Sequence, residues 1–313
     1  MDKAKWLVDI DQFRIKKGSK VDLSKIPTGC TAKIDRELVV DALFPKVIGK
    51  LQVLQEKLYA QNTYGLIIAL QAMDAAGKDG TVKHVFSQVN PAGVKVISFK
   101  QPSAEENDHD YLWRINKSLP GRGEIGIFNR SHYEDVAVTR VHELLKNSQV
   151  PEKLAACEDV WDRRFRQIAD WERYLAENGF PMVKIFLHVS KKKQQKRLAE
   201  RIIRDEKNWK FSMSDIAERK YWDEYMKDYS DAIEKTTSDE APWYVVPADD
   251  KWFTRYVVSL IALDALEKID PKFPEPSPAM KEQIEKLKKL LLAEGDKKAD
   301  IDAIKEKLDK GEA

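Results

Sequence analysis

This chain has few cysteines, no long apolar run and no large excess of charge of one sign. Its two cysteines, Cys30 and Cys157, are too few for a disulfide scaffold and lack the spacing of metal ligands, so we expect a reducing, cytoplasmic setting. No run of 18 or more apolar residues occurs and no signal peptide is recognisable, so we expect no membrane span. Lysine and arginine total 54 against 52 acidic residues, a net charge of +2, which argues against binding of nucleic acid. A polyanion would have to bind at a local basic patch.

The strongest signal in the sequence is a phosphate-loop pattern. An apolar run at residues 66–70 predicts a strand, and helical spacing of apolar residues follows the loop. In such a loop, backbone N–H groups and a helix N-terminus bind phosphate, and a lysine reaches the outer phosphates. Ala72 and Asp79 depart from the usual pattern, which has glycine and a metal-binding hydroxyl there, and an ordinary turn is the alternative. The predicted phosphate ligands are Ala75, Ala76, Gly77, Lys78, Asp79, Gly80 and Thr81.

Short apolar runs recur along the chain with long helical patterns between them. Strands that alternate with helices predict right-handed crossovers and a parallel sheet covered on both faces. We therefore predict an α/β fold of the P-loop kinase type, with three α/β/α layers and a five-stranded parallel sheet. Ligands of such sheets bind beyond the carboxyl ends of the strands. The further predicted strands are 94–99, 124–128, 182–189 and 243–246.

Two other stretches bear on the organisation of the chain. Residues 36–61 have helical spacing, which Pro45 is expected to kink or split. The proline-rich stretch 270–278 predicts a linker, followed by two short amphipathic helices near residues 284–291 and 301–308. We therefore divide the chain into a kinase domain, residues 1–272, and a linker with a helical extension, residues 273–313.

Carboxylates stand where simple anion binding would not need them. Asp74 would repel phosphate unless a cation lies between them, so we interpret it as a Mg²⁺ ligand or as the group that orients an attacking phosphate oxygen. At the end of the third strand Asn129 replaces the carboxylate that usually helps hold the metal, and Glu134 and Asp135 are candidates to compensate. Arg130 between them could bind a phosphoryl group through two hydrogen bonds.

A basic helix is predicted after the fourth strand. Arg197, Arg201 and Arg204 are four and three residues apart, which places them on one helical face. Between Lys191 and Lys220 eleven basic residues face five acidic ones. We interpret a segment of about 190–222 as a helical lid that closes over the transferred phosphate, with a solvated charged helix as the alternative.

Taken together, these motifs resemble the type-2 polyphosphate kinases. The resemblance rests on residues 74–80, on residues 128–135 and on the arginine-rich lid followed by Trp209 and Lys210, and it covers most of residues 36–270. It implies a fold similar to thymidylate kinases and phosphoryl transfer from inorganic polyphosphate to a nucleotide. It also implies Mg²⁺ as the cofactor, with Mn²⁺ as the alternative, and a homo-oligomer, either a dimer or a tetramer.

The resemblance also implies roles for single residues. Asp74 matches the catalytic and metal-associated aspartate of the family, Lys78 its loop lysine and Arg130 its second-motif arginine. The combination of Asn129 and Glu134 resembles the subgroup that accepts both AMP and ADP, which implies a path from AMP through ADP to ATP that is reversible in principle. The resemblance also extends to the lid arginines Arg201 and Arg204, and Ser131 is expected to bind nucleotide. From composition and position we add the hypothesis of a lane for the polyphosphate donor, formed by Lys83, Arg114, Arg122 and the lid with Lys210.

Two other functions stay open at this point. An ATP-dependent kinase of a nucleoside or another small molecule would use the same loop and lid. A nucleotide-sensing or assembly protein without turnover would be favoured if Asn129 meant that metal binding is lost. Dependence of turnover on Mg²⁺ separates the sensor from both kinases.

Overall fold

A parallel sheet forms the framework of the protein. The computed structural model describes residues 6–30 and 32–293, and over these ranges five strands form one parallel sheet in the order β2-β3-β1-β4-β5. Each predicted strand agrees with the observed one to within one residue at either end. The strands are β1 (Leu66–Gln71), β2 (Val94–Ser98), β3 (Ile125–Asn129), β4 (Met182–His188) and β5 (Trp243–Pro247).

Helices connect the strands and cover the sheet. A π-helix (Leu38–Leu43) precedes the first α-helix, and short 3-10 turns separate several of the others. The α-helices are α1 (Phe44–Gln61), α2 (Lys78–Phe86), α3 (Ala104–Asn107), α4 (Trp113–Lys117), α5 (Val138–Val141), α6 (Glu152–Ala155), α7 (Val160–Glu177), α8 (Lys191–Ile203), α9 (Met213–Glu218), α10 (Trp222–Thr236), α11 (Lys251–Ile269) and α12 (Pro278–Ala293).

The core lies on both faces of the sheet. All six residues of β1 are buried, and because side chains alternate along a strand they enter two different apolar clusters. Ile68 packs in one cluster with Leu51 of α1 and Leu263 of α11. Ile67 packs in the other with Leu175 of α7. The sheet therefore lies between helical layers, as the fold prediction requires.

The helical stretch before β1 changes type near Pro45 but is not split in two, as the sequence had allowed. The π-helix ends at Leu43, and Pro45 lies in the first turn of α1. The Phe44 N–H donates to the Val39 carbonyl, so the backbone stays helical from the π-helix into α1.

The outer strand β5 is covered by the N-terminal segment. Within residues 6–30, Arg14 forms an antiparallel bridge with Tyr244 of β5. Further along, the Thr28 hydroxyl donates to the Asp249 carboxylate, 3.0 Å away, in the loop after β5. The segment thus shields a strand edge that would otherwise present unpaired backbone groups.

The chain divides into two compact units, Met1–Lys272 and Phe273–Ala313. In the second unit α12 lies where the first amphipathic helix is predicted. The second predicted helix, near residues 301–308, lies outside the described residues.

Within the described ranges no helix is long and apolar enough to cross a membrane. Cys30 and Cys157 are free thiols.

Candidate active site

The phosphate loop joins β1 at the centre of the sheet to α2. Gly77 has a φ of +116° and caps the start of α2, in a conformation that residues with a side chain rarely adopt. Ala75 has a φ of +58°, also in the left-handed region. Thr81 is buried, and its N–H donates to the Gly77 carbonyl across 2.9 Å. The positive φ values curl the chain into a concave turn of the kind that binds anions through its N–H groups.

The Lys78 ammonium folds back over this loop. It donates to the carbonyl oxygens of Ala72, at 2.8 Å, and Met73, at 3.4 Å, and only 8% of the residue is exposed. Burial lowers the pKa of Lys78, against the opposing charge of Asp74. The group stands where it can exchange carbonyl partners for phosphate oxygens.

A cluster of alternating charge faces the loop. The Arg130 guanidinium lies 3.0 Å from the Asp74 carboxylate and 3.5 Å from that of Glu134. Gln71, at the end of β1, donates to Glu134 across 2.8 Å. Burial would lower the pKa of Arg130, but Glu134 and Asp74 outweigh it and raise the pKa. Arg130 has a φ of +67°, and a non-glycine residue in this region is a strained feature typical of functional sites.

Asn129 and Asp79 connect residues 128–135, the second motif, to the start of α2. Asn129 Nδ2 donates to Asp79 across 2.9 Å, and Lys210 from the lid lies 3.5 Å from the same carboxylate. Burial would raise the pKa of Asp79, but the hydrogen bond from Asn129 and the charge of Lys210 lower it. The predicted site residues Asn129, Asp79 and Lys210 are thus brought together beside the loop.

Two predicted residues have other partners. Arg114 is buried, donates to the Lys100 carbonyl across 2.7 Å and lies 3.5 Å from Asp135. Burial raises the pKa of Asp135 to about 6. Over the described part of the chain, no group of three or more His, Cys, Asp or Glu side chains could hold a metal ion. In this structure Arg114 and Asp135 are therefore paired with each other, and their roles in phosphate and metal binding stay predictions.

Ser131 and Arg122 also have partners outside the loop. Ser131 is fully buried and its Oγ accepts the Tyr133 N–H, so it caps a turn. Arg122 precedes β3 and donates to the carbonyls of Thr63 and Asn178, which lie at the amino ends of the strands. Five-residue strands rise about 3.3 Å per residue, so Arg122 is about 15 Å from the carboxyl edge where the loop lies.

The lid is formed by α8, a 3-10 segment (Asp205–Lys210) and α9. Arg201 donates to Asp215 of α9 and to the Lys210 carbonyl. Burial and the nearby charge of Asp74 raise the pKa of Asp215, so this carboxylate, which the sequence did not single out, faces the site. Arg204 pairs with Glu206 at the surface and is not brought to the loop.

Helix α8 also holds the loop from behind. Gln194 donates to the Asp74 carbonyl, and Arg197 donates to the carbonyls of Ala75 and Ala76. Arg197 was predicted to bind anions with the other lid arginines, but its guanidinium is occupied by backbone oxygens. The sequence signal for this arrangement was the spacing of Gln194 and Arg197, which are three residues apart and therefore share a helical face.

A basic cavity of about 410 Å³ lies beside the start of α2. A Cβ atom at Gly80 would lie 3.9 Å from the Arg255 guanidinium. Burial and the charge of Arg197 lower the pKa of both Lys251 and Arg255, which shows how closely the cations are placed. Six cations line the cavity, and because they come from different elements no local motif predicts them: Arg36, Lys193, Lys196, Arg197, Lys251 and Arg255. Three carboxylates, Glu200, Asp249 and Asp250, also line it, and both terminal nitrogens of Arg197 are bound to backbone carbonyls. A larger cavity of about 600 Å³, between residues 21–28 and α10, contains no residue of the phosphate loop.

Known proteins are similar to this chain in sequence and in fold. The family model of polyphosphate kinase 2 matches residues 39–274. An ADP-polyphosphate phosphotransferase of Rhodopseudomonas palustris is 44% identical over 282 residues, 90% of this chain and 98% of that protein. An AMP/ADP-polyphosphate phosphotransferase of Meiothermus ruber is 42% identical over 268 residues, 86% of this chain and 94% of that protein. A crystal structure of polyphosphate kinase 2 from Arthrobacter aurescens TC1 superposes with a TM-score of 0.80 at 38% identity, covering 91% of this chain and 96% of that one.

Proposed function

This chain belongs to the polyphosphate kinase 2 family, and we propose that it transfers phosphoryl groups from inorganic polyphosphate to AMP and ADP. The products are ADP and ATP. The observation that carries the proposal is the arrangement around Lys78: the phosphate loop lies between the cluster of Asp74, Arg130 and Glu134 and the basic cavity lined by Arg255. A donor that is all phosphate and carries no base suits a cavity lined by lysine and arginine.

Donor and acceptor phosphates bind on opposite sides of the phosphate loop. The loop N–H groups and Lys78 bind the terminal donor phosphate, and Arg130 binds the acceptor phosphate through its planar, bidentate guanidinium. Asp74 orients the attacking oxygen of that phosphate. Phosphoryl transfer depends mainly on placing donor and acceptor in line and on neutralising charge, which this arrangement provides. Arg201 from the lid adds positive charge when it exchanges Asp215 for phosphate.

Magnesium is part of the proposal, and the residues present fit it. Mg²⁺ in phosphoryl-transfer sites is held by one or two carboxylates, with substrate phosphates and water as the other ligands. Asp74 and Glu134 supply such a pair on either side of Arg130. When bound, the ion neutralises charge on the phosphate oxygens. Mn²⁺ prefers the same oxygen ligands and is the expected substitute.

The donor lane differs from the one predicted from sequence. Arg122 lies at the far edge of the sheet and Arg114 is paired inside the protein, so neither belongs to it. We place the lane along the cavity walls formed by α8 and α11, from Arg255 outward to Lys196 and Arg36. Lys83 is exposed on α2, and the proposal keeps Lys83 and Lys210 at the margin of the phosphate path.

The test is nucleotide chromatography of the pure protein incubated with AMP, Mg²⁺ and long-chain polyphosphate, without ATP. We expect ADP first and ATP later, and no product from Lys78→Ala or when Mg²⁺ is chelated. Arg130→Ala should lower turnover by about 100-fold, because a charge that stabilises the transition state is lost.

Other outcomes of the same experiment are informative. Conversion of ADP but not AMP would narrow the acceptor range and contradict the part of the proposal that rests on Glu134. No product from polyphosphate, with ATP consumed when it is supplied with a small-molecule acceptor, would contradict the donor. Unchanged turnover in Arg130→Ala would contradict the arrangement of the site.

Three further points belong to the proposal. Residues 1–272 form the kinase domain, since the proposed site residues all lie there, and residues 273–313 are an extension of it. Two free cysteines suit a reducing cytoplasm. Assembly into a homo-dimer or homo-tetramer is expected from the family, and light scattering of the purified protein tests it.

A further inference from the structure

Three consecutive carbonyl groups of the phosphate loop are bound by one face of α8. Gln194 Nε2 donates to the Asp74 oxygen across 2.9 Å. One nitrogen of the Arg197 guanidinium donates to the Ala75 and Ala76 oxygens, across 3.2 and 2.6 Å. When carbonyl groups of a tight loop are held on its outer side, the N–H groups are left to converge on the inner side, where an anion binds.

The same guanidinium binds a second loop. Its other terminal nitrogen donates to the carbonyls of Ala248 and Asp249, across 2.7 and 3.2 Å, in the segment after β5. Only 7% of Arg197 is exposed, so water cannot readily replace it as a donor to these oxygens. Arg197 therefore joins the lid helix, the phosphate loop and the end of β5 at one point.

The loop conformation needs such support. Ala75 is an alanine in the left-handed region, at a φ of +58°, where a side chain crowds the backbone. Such residues persist when the surrounding structure over-determines them. The Ala75 carbonyl is one of the oxygens that Arg197 binds, so the side chain acts directly on the strained unit.

We propose that Arg197 and Gln194 are positioning residues, which hold the phosphate loop in its anion-binding conformation from behind and do not touch the substrate. This rests on the proposed function, because the ligand of the loop is taken to be the terminal phosphate of polyphosphate. The proposal gives Arg197 a different role from Arg201, which is proposed to bind phosphate, although both residues lie on one face of α8. It also makes the base of the lid a structural part of the loop.

The experiment uses the full chain with Arg197→Ala, Arg197→Lys and Gln194→Ala. The matched controls are Gln195→Ala, an exposed neighbour on α8, and Arg173→Ala, an exposed arginine of α7 paired with Asp170. We measure tripolyphosphate binding by calorimetry, kcat and KM with polyphosphate and AMP, and the thermal unfolding midpoint. We expect Arg197→Ala to lower kcat about 100-fold and to weaken tripolyphosphate binding, because small misplacements of reacting groups have effects of that size.

Chemical rescue distinguishes positioning from a general loss of structure. Free guanidinium at millimolar concentration should restore part of the activity of Arg197→Ala but none of that of Lys78→Ala. Arg197→Lys should stay impaired, because an ammonium group cannot bridge two pairs of carbonyls as a planar guanidinium does. Near-wild-type kcat in Arg197→Ala, or lost activity with neither rescue nor weakened tripolyphosphate binding, would overturn the proposal.

Two outcomes need a second measurement: a variant that does not fold, and a wild-type protein that transfers no phosphate. If Arg197→Ala does not fold, Gln194→Ala decides: about a tenfold lower kcat, with Gln195→Ala unchanged, supports the proposal, and equal activity of the two overturns it. If the wild-type protein transfers no phosphate to nucleotides, the proposed function fails. Weaker tripolyphosphate binding by Arg197→Ala would even then support the positioning role.

Discussion

At the scale of single residues, Asp135 is a carboxylate buried against Arg114, with the Arg164 guanidinium bound to its own carbonyl oxygen. Burial raises its pKa to about 6, whereas an aspartate in the unfolded chain has a pKa of about 3.9. A carboxyl group whose pKa is higher in the folded state favours folding while it is protonated. Its contribution is therefore lost as the pH rises from about 4 to about 6 and stays constant above that.

Asp135→Asn removes this titration. We expect the difference in free energy of unfolding, variant minus wild type, to rise by up to about 3 kcal/mol between pH 4 and pH 7. Urea unfolding at four pH values measures it. At any single pH the difference in free energy of unfolding also contains the lost pairing with Arg114. The test is therefore how this difference changes with pH. A difference that does not change between pH 4 and pH 7 would contradict the raised pKa of Asp135.

The three arginines predicted to share a helical face show what residue spacing can and cannot predict. Arg197 and Arg201 lie four residues apart on α8, whereas Arg204 follows the end of the helix in an extended conformation. Their partners differ: backbone carbonyls for Arg197, Asp215 for Arg201 and Glu206 for Arg204. The depth of each side chain depends on what packs against the helix, which is not encoded in its own residues.

At the scale of elements, the basic cavity is lined by residues of α8 and of the first turns of α11. Burial and the charge of Arg197 both lower the pKa of Arg255 on α11. A cation with such neighbours gains more from an anionic ligand than one already paired. We therefore assign it to the donor and not to the acceptor.

Arg255→Ala should raise KM for polyphosphate about tenfold, as expected for a charge-assisted contact of about 1.4 kcal/mol, and leave KM for AMP within about twofold. The effect should shrink at high ionic strength, because salt screens partly exposed charges. Lys268→Ala on the same helix is the control, since Lys268 is exposed and pairs with Asp264. Equal changes in both KM values would place Arg255 outside the donor lane.

At the scale of the whole molecule, a buried polar network joins the sheet to its helices beneath the second motif. Lys184 of β4 is fully buried and contacts the Glu172 carboxylate of α7, the Thr236 carbonyl at 2.8 Å and the Tyr133 hydroxyl at 3.1 Å. His132 also reaches Glu172, at 3.1 Å. The turn that carries Glu134 therefore rests on an ion pair inside the protein.

Glu172→Gln should lower the free energy of unfolding by about 3–5 kcal/mol, because the Lys184 ammonium is left buried without a counter-charge. The matched control is Asp170→Asn, two residues away on α7. Its partner Arg173 is exposed, so the loss should be below about 1 kcal/mol. Denaturant unfolding measures both variants. Equal effects would show that the buried pair contributes no more than a surface pair.

Local patterns were enough to predict the fold. Strand bounds and the phosphate loop follow from hydrophobic periodicity and backbone chemistry, which act over a few residues. The cluster of Asp74, Arg130 and Glu134 was also predictable, because the carboxyl ends of neighbouring parallel strands meet at one edge.

The residues that local patterns could not place all have partners distant in the chain. The amino acid sequence alone established the sheet, the loop and the family. Which cations lie near the loop was settled by packing: Arg122 lies at the amino end of its strand, Arg114 pairs with Asp135, and Arg255 lies close to Arg197. The reason is physical. A periodic pattern specifies the face of an element, whereas the charge and depth around a side chain are set by whichever other elements pack against that face.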